Sequence, residues 1–243
     1  ASISAVVIIG GVKRIGLIAS SLVPIMAIIY FLSAMFIVFA NTERVPEALN
    51  LIIENAFDTS SAAGGFAGSA MALAMQYGIS RGVFSNEAGL GSAPIAHAAA
   101  KTNSPVRQGA IAVLGVFFDT IVICTLTALV ILICGAWLGD AQGVDLTSAG
   151  FAFQFPYIGN IIVTISVILF AFTTILGWSY YGERCSVYVF GEKAKTAYRI
   201  LWILFIIIGA WASNNVELIW SLASFMNGFM AIPNLIALVL LSP

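Results

Sequence analysis

The chain is built from long, unbroken apolar runs separated by short polar segments. The runs cover residues 17–39, 65–79, 110–138, 158–181, 200–212 and 216–241, and a shorter apolar stretch, 1–11, leads them. About 20 helical residues cross a hydrocarbon core of roughly 30 Å. The pattern therefore predicts six membrane segments after a leading stub. The runs are continuous rather than alternating, which excludes a membrane barrel. The run at 65–79 is short and rich in small residues, so it is the irregular member of the set.

Composition sharpens this picture. Hydrophobic residues make up 60% of the 243, charged residues only 9%, and the mean hydropathy is +1.03. An ordinary soluble domain carries about a quarter charged residues, enough to cover its outside. The fold class predicted is an all-α polytopic membrane protein. A disordered chain is excluded by its hydrophobicity. Nucleic acid is excluded as a partner because no basic surface exists to neutralise phosphates. Cys124, Cys134 and Cys185 read as small reduced hydrophobes, and His97 alone leaves too few soft ligands for a haem, zinc or iron–sulfur site. No His or Cys cluster and no paired carboxylates at depth suggest an enzyme, and no repeated polar rings suggest a channel.

The charges set an orientation. Lys13 and Arg14 precede the first full span; Arg81, Lys101 and Arg107 lie between the second and third; Arg184, Lys193, Lys195 and Arg199 lie between the fourth and fifth. If every span crosses once, nine of the ten basic residues share one side, Arg44 being the exception. That side is cytoplasmic by the positive-inside rule. The stretch 1–11 is too short to span and has no basic segment before it, which argues against a signal peptide. It reads as the tail of a helix, and the chain as a fragment of a longer protein.

Chemistry concentrates in residues 54–69, where Gly64, Gly65 and Gly68 stand among Ser60, Ser61 and Ser69. Each glycine costs about 1 kcal/mol relative to alanine inside a helix, so the cluster favours local unwinding. Unwound backbone at membrane depth is tolerated where it faces a cavity or ligand, as in the broken helices of secondary transporters. Gly64 and Gly68 also form G-x-x-x-G, a close-packing motif. Both readings stand on composition alone. Asp119 lies about ten residues inside the third span, where a carboxylate is either a gate or ion-pathway residue or an interhelical hydrogen-bond partner. Arg81, Asn86 and Glu87 read as a polar cap or inner gate, with Arg81 and Glu87 able to pair, or as ordinary loop chemistry. Residues 139–157 read as an extracellular hairpin over the substrate entrance. Asn227, Gly228 and Pro233 read as a kink in the last span.

Residues 82–109, GVFSNEAGLGSAPIAHAAAKTNSPVRQG, closely resemble the alanine or glycine:cation symporter family, as do GGFAG at 64–68 and GVFFDT at 115–120. More loosely, the resemblance extends from GGVKRIG at 10–16 over essentially the whole chain. It implies a LeuT-type fold of the APC superfamily, with two inverted five-helix repeats. Residues 1–243 would then hold the end of core helix 4, helix 5 and helices 6–10 in a single membrane domain, the N-terminal part being missing. The resemblance further implies symport of sodium with alanine or glycine across the bacterial inner (plasma) membrane, no organic cofactor, and as partners the amino acid, the lipid bilayer and the missing half. By the same resemblance Gly65, Phe66, Ala67 and Gly68 form the unwound sixth helix contacting the amino acid, and Trp178 is a pocket wall. Phe170, Thr173 and Thr174 supply oxygens to sodium. Without it, Trp178 reads equally as an interfacial aromatic, and the threonines as hydroxyls bonded back to the preceding turn.

Overall fold

With no water in a bilayer to satisfy backbone groups, an apolar run must pair its own N–H and C=O groups, which the α-helix does. The computed structural model of the chain describes residues 2–57, 67–211 and 216–242. It is helical, with no strand among the described residues. The helices are α1 (Ser2–Ile9), α2 (Gly11–Ala40), α3 (Val45–Phe57), α4 (Ala67–Asn86), α5 (Ala93–His97), α6 (Pro105–Val116), α7 (Thr125–Ile133), α8 (Val144–Gln154), α9 (Gly159–Phe190), α10 (Ala194–Trp211) and α11 (Val216–Leu241). Helices α6 and α7 form one run, joined through a π-helical segment, Phe117–Cys124.

Five of these helical runs, among the described residues, are long and apolar enough to cross a membrane: Gly11–Ala40, Pro105–Ile133, Gly159–Phe190, Ala194–Trp211 and Glu217–Leu241. The expected sixth, at 65–79, is not among them. Its described part, α4, carries Gln76, Ser80, Arg81, Ser85 and Asn86, which dilute its apolar character. Residues 58–66, with Gly65 and Phe66, lie outside the described residues, as do Ser213, Asn214 and Asn215.

The helices outrun the apolar pattern at several ends. Lys13 and Arg14, expected before the first span, sit in the first turn of α2. Gly10 separates α1 from α2, and Gly11, which opens α2, has φ +73°; only glycine takes that left-handed conformation freely. Arg184, Lys195 and Arg199, expected in a loop, are helical, because α9 continues nine residues past Tyr181 to Phe190 and α10 begins at Ala194. The expected kink at Asn227, Gly228 and Pro233 falls within an uninterrupted α11.

Two compact units divide the chain. The first holds Ala1–Pro24, Glu87–Leu114 and Leu169–Pro243; the second holds Ile25–Asn86 and Gly115–Ile168. The first unit's core joins Val7 and Ile8 of α1 to Leu176 of α9, flanked by Trp202 and Ile206 of α10. The second unit's core joins Tyr30, Ala34 and Ile37 of α2, Leu126 and Val130 of α7, Phe151 of α8 and Val163 of α9. The spacing of Tyr30, Ala34 and Ile37 puts them on one helix face. The Tyr30 hydroxyl lies 2.6 Å from Thr127 Oγ1, and the Tyr30 and Phe151 rings are 5.2 Å apart. The expected extracellular hairpin at 139–157 is thus largely a helix, α8, anchored by the fully buried Phe151.

Candidate functional site

In the second unit, the last turn of α4 meets the π-helical segment. A π-turn is wider than an α-turn and recurs at functional sites. Asp119 lies fourteen residues from each end of the run Pro105–Ile133, at its midpoint. Ser85 Oγ donates to Asp119 Oδ2 at 2.7 Å, and Thr120 Oγ1 donates to the same oxygen at 3.2 Å. Asn86 Nδ2 donates to Thr120 Oγ1 at 2.9 Å. These four residues form one connected polar chain, so the carboxyl is held by two hydroxyls. Cys124 Sγ lies 3.9 Å from Ser85 Oγ. Asp119 therefore makes the interhelical hydrogen bond, one of its two expected readings. The same geometry gathers carboxyl, hydroxyl and amide groups into one cluster at mid-run.

In the first unit, the chain leaves the helix at Glu87. Glu87 has φ +56°, and Gly89 and Gly91 have φ +82° and +81°. Three left-handed residues in five make a tight turn before α5. Glu87 accepts from Ser92 Oγ at 2.7 Å, and Asn234 Nδ2 of α11 donates to the Gly89 carbonyl at 3.0 Å. Ser92 and Leu90 are buried. This interruption of helical structure is one that sequence reasoning missed. Its sequence signal is two glycines two residues apart, shortly after Asn86 and Glu87. His97 Nδ1 is engaged by Gln108 Nε2 at 2.7 Å.

Beside this turn lies a cavity of about 520 Å³. Trp178 and Tyr181 of α9 line it with Tyr198 and Trp202 of α10, Ser92 and Asn234. The volume falls within the range of small-molecule sites. Trp178 thus lines an aromatic cavity in the first unit. Its ring centroid lies 5.9 Å from that of Tyr181, edge to face. A larger cleft of about 870 Å³ in the second unit runs between α3 and the Gly135–Leu138 turn, with Glu43, Arg44, Glu47 and Glu54 on its walls.

Thr173 Oγ1 donates to the carbonyls of Leu169 and Phe170, at 3.0 Å each. The structure thus brings the Thr173 hydroxyl and the Phe170 carbonyl together. The contact is the back-bond that any helical threonine can make. Thr174 is exposed, about 100° further round the helix. Ala67 and Gly68 open α4.

A model of the family described as "Sodium:alanine symporter family" matches residues 1–243. The chain belongs to that family. It is 47% identical to the sodium/alanine symporter AgcS of Methanococcus maripaludis, over 98% of this chain and 52% of the relative. It is 49% identical to a Haemophilus influenzae protein named as an uncharacterized transporter, over 96% of this chain and 51% of that one. Against the amino-acid carrier protein AlsT of Bacillus subtilis it is 36% identical, over 100% of this chain and 51% of the carrier. The chain spans about half the length of the curated relatives it matches. Membership places it among multi-pass membrane transport proteins, in keeping with the five long apolar helices among the described residues.

Proposed function

We propose that the whole protein is a secondary active symporter of LeuT-type organisation, coupling inward sodium movement to uptake of alanine or glycine across the bacterial inner membrane. Family membership is the observation that carries this reading, since AgcS at 47% identity is named for sodium and alanine. In the proposal, the backbone of Gly65, Phe66, Ala67 and Gly68 holds the amino acid's charged ends. Trp178 closes the pocket on the α9 side. The Phe170 carbonyl and the hydroxyls of Thr173 and Thr174 offer hard oxygen ligands to sodium. Asp119, Asn86 and Glu87 gate the route. Coupling requires that sodium bind the amino-acid-competent conformation more tightly than the other, since a ligand shifts an equilibrium only by its differential affinity.

A second reading, proton coupling on the same fold, is favoured by one observation: a carboxyl held by two hydroxyls at the midpoint of a membrane run. Intramembrane carboxylates of this kind serve proton relays. One experiment tests both. Labelled alanine is offered to vesicles containing the full-length protein. Accumulation that needs an inward sodium gradient and collapses with a sodium ionophore is expected. Accumulation driven by a proton gradient alone selects the second reading. Equal uptake without any gradient refutes symport.

A further inference from the structure

Glu183, near the end of α9, is buried at 5% exposure. Arg199 of α10 grips its carboxylate with a two-pronged fork, Nε at 2.6 Å and Nη2 at 3.2 Å. Its remaining nitrogen, Nη1, donates to the Ile9 carbonyl at the end of α1, at 2.9 Å. Fork and carboxylate therefore satisfy one another. Two more cations nevertheless converge on the same carboxylate: Arg184 Nη2 at 3.6 Å and Lys195 Nζ at 3.9 Å. With three cations around one carboxylate, the cluster carries two excess positive charges. In the α9–α10 turn, Glu192 and Lys193 are exposed and offset one another.

Positive-inside bias explains why cations lie at this end of the helices. It does not explain their convergence, nor the state of Arg184. The Arg184 guanidinium lies over the Tyr180 ring, 5.2 Å from its centroid, and its Nε is buried with no hydrogen-bond partner among the described residues. Buried donors are normally paired. Arg184 stands six residues before the end of α9 at Phe190, about 9 Å along the helix. The residues beyond it, Tyr188, Val189 and Phe190, are exposed apolar side chains. An aromatic and apolar rim beside cations is the makeup of a headgroup-level surface.

We propose that Arg184 and Lys195 form a binding site for a phosphate-bearing anion at the cytoplasmic membrane boundary. The phosphate takes up the charge that Glu183 leaves unbalanced. Its source is either the headgroup of an anionic phospholipid or a soluble phosphate, and the test has an arm for each.

The full-length protein is purified in detergent, and phosphatidylglycerol binding is titrated by native mass spectrometry, with phosphatidylcholine as the neutral comparison. Each interfacial cation contributes about 1 kcal/mol toward an anionic headgroup, or roughly a fivefold change in affinity. Arg184→Gln and Lys195→Gln are each expected to weaken phosphatidylglycerol about fivefold, and the pair roughly 25-fold. Arg184→Lys, which keeps the charge, is expected to retain binding. Lys101→Gln, the same charge change in another loop, is expected to leave it unchanged. Inorganic phosphate is titrated in parallel by its protection against thermal unfolding. Protection by phosphate, lost in the double variant, supports the site and assigns it to a soluble anion; binding of phosphatidylglycerol alone, lost likewise, assigns it to lipid. The proposal is overturned if the double variant binds both as the parent does, if Lys101→Gln loses as much as Arg184→Gln, or if phosphatidylcholine binds equally well.

Discussion

The Glu183–Arg199 pair is predicted to dominate the stability of the first unit, and its neighbours to contribute little. The Glu183 side chain is 6% exposed and that of Arg199 16%, and they share two short charge-assisted bonds. Truncating one partner of a buried pair costs about 3–5 kcal/mol, because the other charge is left buried. Arg184 and Lys195, at 39% and 35% exposure and beyond 3.5 Å, are of the kind worth about 0–1 kcal/mol. They also partly compensate the loss of Arg199 by closing on the carboxylate, so Arg199→Gln belongs near the lower end, about 3 kcal/mol. Glu183→Gln has no such relief, since three cations then face one another, and belongs near the upper end. At about 2–4 °C per kcal/mol for a chain of this size, these variants fall roughly 6–20 °C in thermal midpoint. Arg199→Lys keeps the charge but loses the fork, so it falls between the parent and Arg199→Gln. The double variant Glu183→Gln/Arg199→Gln is expected to be far less damaged than the sum of the singles. Midpoints are read by tryptophan fluorescence on protein in detergent. An Arg184→Gln midpoint as low as that of Arg199→Gln would refute this reasoning, as would additive single effects.

Asp119→Asn keeps an oxygen for Ser85 and Thr120 but cannot titrate; it is expected to leave folding intact and to alter the sodium or pH dependence of uptake. Superimposable titration curves remove Asp119 from the transport mechanism. Gly159→Ala forces a Cβ to within 2.6 Å of the Phe151 carbonyl and is expected to cost about 1–3 kcal/mol. Gly177→Ala meets nothing within 4 Å among the described residues and is expected to be neutral or to gain up to about 1 kcal/mol; equal thermal midpoints for the two contradict the packing of the α8–α9 corner. Gly91→Ala, at φ +81° with Asn234 3.1 Å away, is expected to lose about 1–2 kcal/mol, and an unshifted midpoint counts against the Glu87–Ser92 turn. In a background without Cys124, Cys134 and Cys185, single cysteines replacing Lys13 and Lys101 are expected to react with an impermeant thiol reagent from the same face. Labelling from opposite faces refutes an odd number of crossings between α2 and α6.

The apolar runs announced α2, α9, α10 and α11 because a bilayer leaves a long apolar segment little choice but helix. The ends were misjudged wherever a charge is satisfied inside the helix. Arg199 reads as a loop residue, yet it and Glu183 neutralise one another and leave both helices free to continue. Residues 139–157, with their glycines and aspartates, hid α8 because its anchor is a single buried phenylalanine rather than a periodic face. At the candidate site, Asp119 stands out in the sequence as a carboxylate inside an apolar run, while Trp178 comes forward only through the family resemblance. The π-turn around Asp119 and the left-handed Glu87 were not legible, since neither leaves a compositional trace. Gly65 and Phe66 lie outside the described residues.

One contact bears on how often the chain crosses. Arg199, in the first turns of α10, donates to the carbonyl of Ile9, and a Cβ on Gly11 would lie 3.3 Å from the same guanidinium. The start of α2 and the start of α10 therefore lie at the same face of the membrane. Between these two points the chain runs through α2, the α6–α7 run and α9, three apolar crossings. Three crossings alone would leave the points on opposite faces; if each run crosses once, the connecting segments add an odd number, and α8, at 11 residues, is too short to supply it, which points to the stretch between α2 and α6. Among the described helices there, α4 has 20 residues, about 30 Å, the thickness of the hydrocarbon core. Its low hydropathy is no obstacle if its polar groups are paired. Ser85 and Asn86 meet that condition at Asp119 and Thr120. Ser85 and Asn86, two of the polar residues that dilute α4 by composition, are thus tied to the midpoint of the α6–α7 run, so the end of α4 lies level with the middle of that run rather than with its end.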